Sequence, residues 1–434
     1  MEEAKKRNTF TSSLGFVLAA AGSAVGLGNI WRFPYLAAKN GGGLFLLVYL
    51  IFVLTFGFTL LITEIAIGRK TQESPLTAYD KINPKWGFLG KFSFIVPFII
   101  YPYYCVIGGW VIKFFCTYIT FQGAQAVEAN YFNNFISGYW QPILFTLIFA
   151  ILCFFVVYKG VEKGIEKVSR ILMPILAVLV IFIAFYSIFL KFTTPDGVTR
   201  TGLQGLKIYF KPDFTGITFI GFLKICLDAI GQLFYSLSIA MGIMISYGSY
   251  MKKEVNLVKS VNQIEIFDTG IALLAGMMII PAVFVFTGTD GLQSAGPGLI
   301  FSVLPKVFDS MGKFGNFMGI IFFIMVLFAA LTSAVSILEA IVSSIIDKYK
   351  CTMFHSVPTM MLAITQAKTF EPQKLASLRL SILGGSATTE SQMRMLRQLM
   401  PNIHFGNIYG MSENAAVSLT KYEDSIEHIT QTVG

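Results

Sequence analysis

Eight stretches of this 434-residue chain are apolar for long enough to cross a bilayer: roughly 11–38, 43–68, 92–119, 141–158, 170–191, 219–250, 262–288 and 314–346. A crossing helix needs about 20 mostly apolar residues. Several of these runs are longer, which predicts tilted or interrupted helices. Over residues 1–350 the pattern therefore predicts an all-α polytopic membrane protein. Beyond Lys350 the period changes. Leu378–Ser386 reads as a buried strand ending in a Gly-rich turn, Ser391–Met400 as an amphipathic helix, and His404–Gly410 as a second strand and turn. A small, incomplete α/β tail is expected over 351–434.

The run Ala19–Pro34 departs from a plain apolar span. It carries Gly22, Gly26 and Gly28, then Asn29, Arg32 and Pro34. Glycine weakens a helix, and carbonyls freed at mid-membrane must find a partner, of which a bound cation is one. A guanidinium within a span marks a pathway or gate. The competing reading is a close helix crossing through the Gly22/Gly26 pair, which leaves Asn29 and Arg32 unexplained. The sixth run, Gly231–Gly242, again puts small and polar residues at mid-depth. Two interrupted helices at matching places in two five-helix halves point to an inverted-repeat, broken-helix transporter fold.

Composition agrees. The chain is 55% hydrophobic and 13% charged, against about 25% charged in soluble domains. All four Trp precede residue 350 and all three His (His355, His404, His428) follow it. The net charge of +9 belongs to membrane loops, so no nucleic-acid partner is expected. Lys and Arg concentrate in alternate loops: near residues 5–7, 69–91, 159–170, 252–259 and 348–350. These are the cytoplasmic side by the positive-inside rule, with both termini inside a plasma (inner) membrane. The charged start Met1–Asn8 leads straight into a long span, so no cleavable signal peptide is expected. The five cysteines form no C-x-x-C pair and read as small apolar residues.

Sodium, a hard cation, needs oxygen ligands. Mid-membrane candidates are Asn29, Ser236, Ser238, Asp268, Thr332 and Ser333; Asp268 is costly unless paired or bound to a cation. The alternative for each hydroxyl is a hydrogen bond to its own helix. Tyr104, at mid-depth in the third run, is a candidate donor to a substrate carboxylate.

The order Ala21-Gly-Ser-Ala-Val-Gly-Leu-Gly-Asn-Ile-Trp-Arg-Phe-Pro-Tyr35, Asn40-Gly-Gly-Gly43, Glu64-Ile-Ala-Ile-Gly-Arg69, Gly164-Ile-Glu-Lys-Val168, Gly231–Ser238 and Leu331-Thr-Ser333 resembles the neurotransmitter:sodium symporters, in their bacterial leucine-transporter-like branch. The resemblance implies sodium-coupled symport of a small amino acid, with two Na+ sites and no organic cofactor. Sodium site 1 would use Ala24, Asn29, Ser236 and Asp268. Site 2 would use Gly22, Val25, Ala329, Thr332 and Ser333. Substrate would meet Ala24, Leu27, Gly28, Ile100, Tyr104, Ser238, Met241 and Ile337 beneath a lid of Phe234 and Tyr235. An adaptable Met241 suits apolar or aromatic side chains. Arg32 would be the outer gate, with no evident partner in this chain. A chloride site is doubtful: Tyr49, Gln232 and Ser236 match, but Ala272 falls where a hydroxyl is expected. The family has eleven or twelve helices, and the pattern leaves it after the eighth. An alternative is therefore a protein that binds substrate and sodium without transporting them.

The tail resembles the AMP-forming acyl-CoA synthetases through Val357–Met360, Leu383–Ala387, Tyr409-Gly-Met-Ser-Glu413 and Thr432–Gly434. That resemblance implies nucleotide contacts at Gly384, Gly385, Tyr409, Gly410, Ser412 and Glu413. The phosphate loop and catalytic Lys are missing, so no ligase activity is expected from this AMP-binding fragment. The whole reads as a chimera of two partial domains, 1–350 and 351–434.

Overall fold

Among the described residues, glycines, prolines and caps divide the chain into eighteen α-helices. The computed structural model describes residues 9–128, 130–194, 197–292, 296–349, 353–366, 378–384, 386–411, 414–420 and 424–431, which fall into two compact units, 1–344 and 345–434. In the first unit α1 (Ser13–Ala24) starts where Ser12 Oγ accepts the Gly15 N–H at 3.0 Å, a side-chain cap on an otherwise orphan donor. After a break, a wide turn at Gly28–Arg32 leads into α2 (Phe33–Lys39), and the two arms bend by 53°. The second span is α3 (Gly43–Phe52) and α4 (Phe58–Thr71), joined by a second wide turn.

A short α5 (Pro75–Ile82) precedes α6 (Gly87–Ile119), which carries Pro97 and Pro102 inside it. Then come α7 (Tyr131–Ile136), α8 (Trp140–Tyr158) and α9 (Lys167–Ile188). An antiparallel hairpin of β1 (Lys191–Thr193) and β2 (Thr199–Thr201) leads to α10 (Gly202–Phe210), opened by a reciprocal Thr201–Gln204 capping box. The sixth span is α11 (Phe219–Ser236), a break, and α12 (Ile243–Ser249). It is followed by α13 (Leu257–Gly291), α14 (Leu304–Ser310) and α15 (Gly315–Tyr349).

Among the described residues seven helices are long and apolar enough to cross a membrane, and eight when the bent α1–α2 pair counts as one. They coincide with the eight apolar runs. Burial separates inner from outer helices. The most apolar stretch of α8 is only 17% buried within the protein, against 61% for α13 and 67% for α15. The outer helices leave apolar side chains for lipid, while α13 and α15 enclose the broken α1.

The second unit is a four-stranded sheet in the order β3 (Met353–Ser356), β4 (Leu380–Gly384), β5 (His404–Met411), β6 (Asn414–Leu419). The first three strands are parallel and β6 is antiparallel. Helices α16 (Pro358–Gln366), α17 (Glu390–Leu399) and α18 (Ile426–Gln431) complete it, around a core of Met361, Leu383, Met393, Leu396, Phe405 and Ile429. Gly384 ends β4, and Tyr409 and Gly410 lie in β5; Gly385, Ser412 and Glu413 fall outside the described residues.

Candidate functional site

The site forms where two interrupted spans face each other between α6, α13 and α15. In the first, α1 stops because Val25 turns to an extended backbone (ψ 97°). Two glycines make the approach of neighbours possible. A Cβ on Gly26 would lie 2.6 Å from both Ser333 Oγ and Tyr104 Oη, and one on Gly28 would lie 2.5 Å from the Tyr235 ring. In the sixth span Ser238 (φ 55°), Ala240 (φ 63°) and Gly242 (φ 70°) are all left-handed between α11 and α12. Two of these are not glycine, a conformation that must be held from outside. Glu64 of α4 does so: its carboxylate accepts the Ala240 N–H at 2.7 Å.

Four candidate ligands for one cation fall together. Asn29 and Asp268 are fully buried. Asn29 Nδ2 donates to Asp268 Oδ1 at 2.8 Å, and Ser236 Oγ lies 2.9 Å from both Asp268 oxygens, to one of which it donates. The Asn29 amide oxygen accepts the Gly26 N–H at 3.2 Å, so it braces the break as well. Ala24 lines the adjoining cavity. No Lys, Arg or His pairs with Asp268 among the described residues.

A second focus lies between α1 and α15. Ser333 Oγ is 3.3, 3.1 and 3.3 Å from the carbonyls of Gly22, Ser23 and Val25. One hydroxyl proton serves one acceptor, so the other carbonyls remain available to a cation. Thr332 Oγ1 bonds back to its own helix, at Phe328 O (3.0 Å) and Ala329 O (3.2 Å), as a hydroxyl in an apolar helix does.

Above both foci, Tyr104 Oη accepts the Leu27 N–H at 3.2 Å, leaving its own O–H to donate elsewhere. The cavity here is lined by Ser23, Ala24, Gly26, Gly28, Asn29, Ile100, Tyr104, Tyr235, Ser238, Met241, Ser333 and Ile337. Its free volume of about 20 Å³ holds no more than about one water, so the site is closed. Phe234 is not in the lining, while its neighbour Tyr235 is. Successive helical residues point about 100° apart, so only one of the two can roof the cavity.

Three residues that sequence reasoning left out belong to this arrangement. Ser23 Oγ lies 3.2 Å from Ser238 Oγ and 2.7 Å from Ser336 Oγ, a hydroxyl cluster at one end of the cavity. Glu64, given no role of its own within the Glu64–Arg69 motif, is the strap on the second break. Arg32 also differs from expectation. It has partners: Nη1 donates to Gln232 Oε1 at 3.1 Å and the guanidinium lies 5.9 Å from the Tyr235 ring centroid. Gln232 in turn donates to the Gly28 carbonyl at 3.2 Å. Tyr49 and Ala272 are both fully buried, and an alanine has no hydroxyl to offer an anion.

Paired broken helices that hold a buried carboxylate and converging carbonyls around a small closed cavity define an ion-coupled membrane transporter of broken-helix type. The model of the sodium:neurotransmitter symporter family matches residues 7–138 and 130–372. The chain belongs to that family and is a multi-pass, sodium-dependent transporter. It is 38% identical over 342 residues, 77% of its own length and 72% of the relative's, to an uncharacterised sodium-dependent transporter, YhdH, of Bacillus subtilis. It is 29% identical to the human sodium- and chloride-dependent taurine transporter, covering 79% of this chain and 61% of that one. Among solved structures, MhsT in complex with L-phenylalanine matches with a TM-score of 0.70 and 39% identity, over 80% of this chain and 76% of that one. These relatives are transporters, not enzymes.

Proposed function

We propose that this chain is a sodium-coupled symporter for a neutral amino acid with an apolar or aromatic side chain, working inward across the plasma membrane with the Lys/Arg-rich loops in the cytoplasm. The observation that carries the reading is the Asn29–Ser236–Asp268 cluster. A fully buried carboxylate held only by neutral donors is costly, by several kcal/mol, until a cation joins it. Sodium at site 1, on Ala24, Asn29, Ser236 and Asp268, removes that cost. Sodium at site 2, on the carbonyls of Gly22, Val25 and Ala329 and the hydroxyls of Thr332 and Ser333, ties α1 to α15. The two ions order α1, α11, α13 and α15 before substrate arrives.

The substrate carboxylate meets the Tyr104 hydroxyl and the N–H groups near Leu27 and Gly28. Its side chain lies among Ile100, Met241 and Ile337, toward Ser238 and Ser23, under Tyr235. The phenylalanine bound by MhsT supports an aromatic substrate. Arg32 closes the outer side through Gln232 and Tyr235. Transport needs no chloride, because an anion near Ser236 would meet the Asp268 carboxylate, and Ala272 offers it no donor.

The test is uptake of labelled L-phenylalanine into proteoliposomes, beside equilibrium binding, in sodium and in choline. Uptake in sodium alone is expected. Sodium-dependent binding without uptake would replace this reading with that of a substrate-binding, non-transporting protein. Residues 351–434 we read as a fragment of an AMP-forming acyl-CoA synthetase without activity; their parallel β3–β4–β5 order with intervening helices supports it. ATP–pyrophosphate exchange by the full chain would overturn that.

A further inference from the structure

A cavity of about 470 Å³ opens between the β1–β2 hairpin, α10 and α13, and shares no lining residue with the transport site. Three cations line it, Arg200, Lys207 and Lys211, and no carboxylate does. Among the described residues none of the three has a carboxylate oxygen within 4.0 Å; the charge that acts on Lys211 is the exposed Asp213, whose carboxyl is held below its usual range by hydrogen bonds from Thr215 and then by Lys211. Lys207 and Lys211 stand one turn apart, on or just past the end of α10, where like charges repel. Outer loops of membrane proteins carry few cations, so three around one cavity is a concentration against the trend.

The scaffold beneath them is fixed. Thr201 and Gln204 cap α10 reciprocally, and Tyr209 is fully buried, donating to the Leu273 carbonyl at 3.2 Å. Arg200 lies against Gly288, where α13 breaks with φ 72°; a Cβ there would stand 3.0 Å from the guanidinium carbon. The glycine thus leaves a seat for the guanidinium. Gln204 spends its amide oxygen on the Thr201 N–H at 3.0 Å, leaving its NH2 to donate. Val198, Ile208 and Phe284 supply the apolar part of the lining.

We propose that this cavity binds a phosphate-bearing anion, and that the phosphodiester headgroup of an anionic lipid in the outer leaflet fits it best. Phosphate oxygens take Arg200, the two lysines and the Gln204 amide. The glycerol and first acyl carbons lie on Phe284, Ile208 and Val198. Arginine supplies the fork geometry that phosphate favours, and basic cavities beside membrane helices suit such headgroups.

The test uses the purified full chain in a neutral detergent with phosphatidylglycerol, phosphatidylcholine or inorganic phosphate, reading lipid retained in native mass spectrometry and the unfolding temperature. Phosphatidylglycerol should be retained and raise the unfolding temperature, and phosphatidylcholine should not. Removing the three charges, as R200Q with K207Q and K211Q, should weaken phosphatidylglycerol binding about 100-fold at roughly fivefold per cation. K207R with K211R, which keeps all three charges, should bind phosphatidylglycerol as the unaltered protein does. Competition by millimolar inorganic phosphate would support the same site with free phosphate as its occupant. Equal retention of the two lipids by the unaltered protein would overturn the proposal. So would undiminished phosphatidylglycerol binding in the charge-removed variant.

Discussion

The breaks in the first and sixth spans do similar work by different means. The first is made of glycine: Gly26 and Gly28 let Ser333, Tyr104 and Tyr235 come within contact of bare backbone. The sixth uses Ser238 and Ala240 in left-handed conformations and depends on Glu64 to keep them there. One break is shaped by space and the other by a strap. The first should therefore fail when space is filled, and the second when its hydrogen bond is removed.

The largest effect is expected where both breaks lean on one group. Asp268→Ala takes away the carboxylate that links Asn29 of the first span to Ser236 of the sixth, and sodium-dependent uptake should vanish. Asp268→Asn keeps the shape and drops the charge. The sodium concentration for half-maximal uptake should then rise roughly 30-fold, for about 2 kcal/mol of lost attraction. Next, Gly28→Ala drives a methyl into the Tyr235 ring; overpacking of this kind costs about 1–3 kcal/mol. Uptake should fall at least tenfold, measured in protein whose unfolding temperature confirms that it folds.

For the second break, Glu64→Leu strands the Ala240 N–H. Stability should drop by about 1–3 kcal/mol, read as a lower unfolding temperature, while Glu64→Gln, which keeps an acceptor, should lose less. The smallest effect is a gain: Ala240→Gly relieves a left-handed residue and should raise the unfolding temperature by a few degrees at most, for about 1 kcal/mol. If Ala240→Gly destabilises instead, the strap does not oppose strain and the contrast between the breaks fails.

The spans were legible because length and hydropathy are properties of one segment, and the first break because glycine, amide and guanidinium interrupt an apolar run in plain view. What sequence reading missed depends on pairing across the fold. Nothing local in Glu64 tells that its partner is Ala240, and Ser23 looks like one more small residue until Ser238 and Ser336 face it. Arg32 has no acid partner that its sequence points to; a neutral amide and an aromatic face serve instead. Phe234 and Tyr235 could not be told apart as lid, because the choice is set by how far α11 is rotated before it ends. Thr332 shows the converse, a hydroxyl whose bond to its own helix was foreseeable from an apolar environment.

The closed cavity has a consequence for kinetics. With room for about one water, the described conformation admits no amino acid, so substrate enters through a more open one. The measured dissociation constant then exceeds the intrinsic one by the reciprocal of the open fraction. The observed rate of binding should level off as substrate concentration rises, at the rate of opening. Any substitution that props the site open should tighten apparent affinity without adding a single contact.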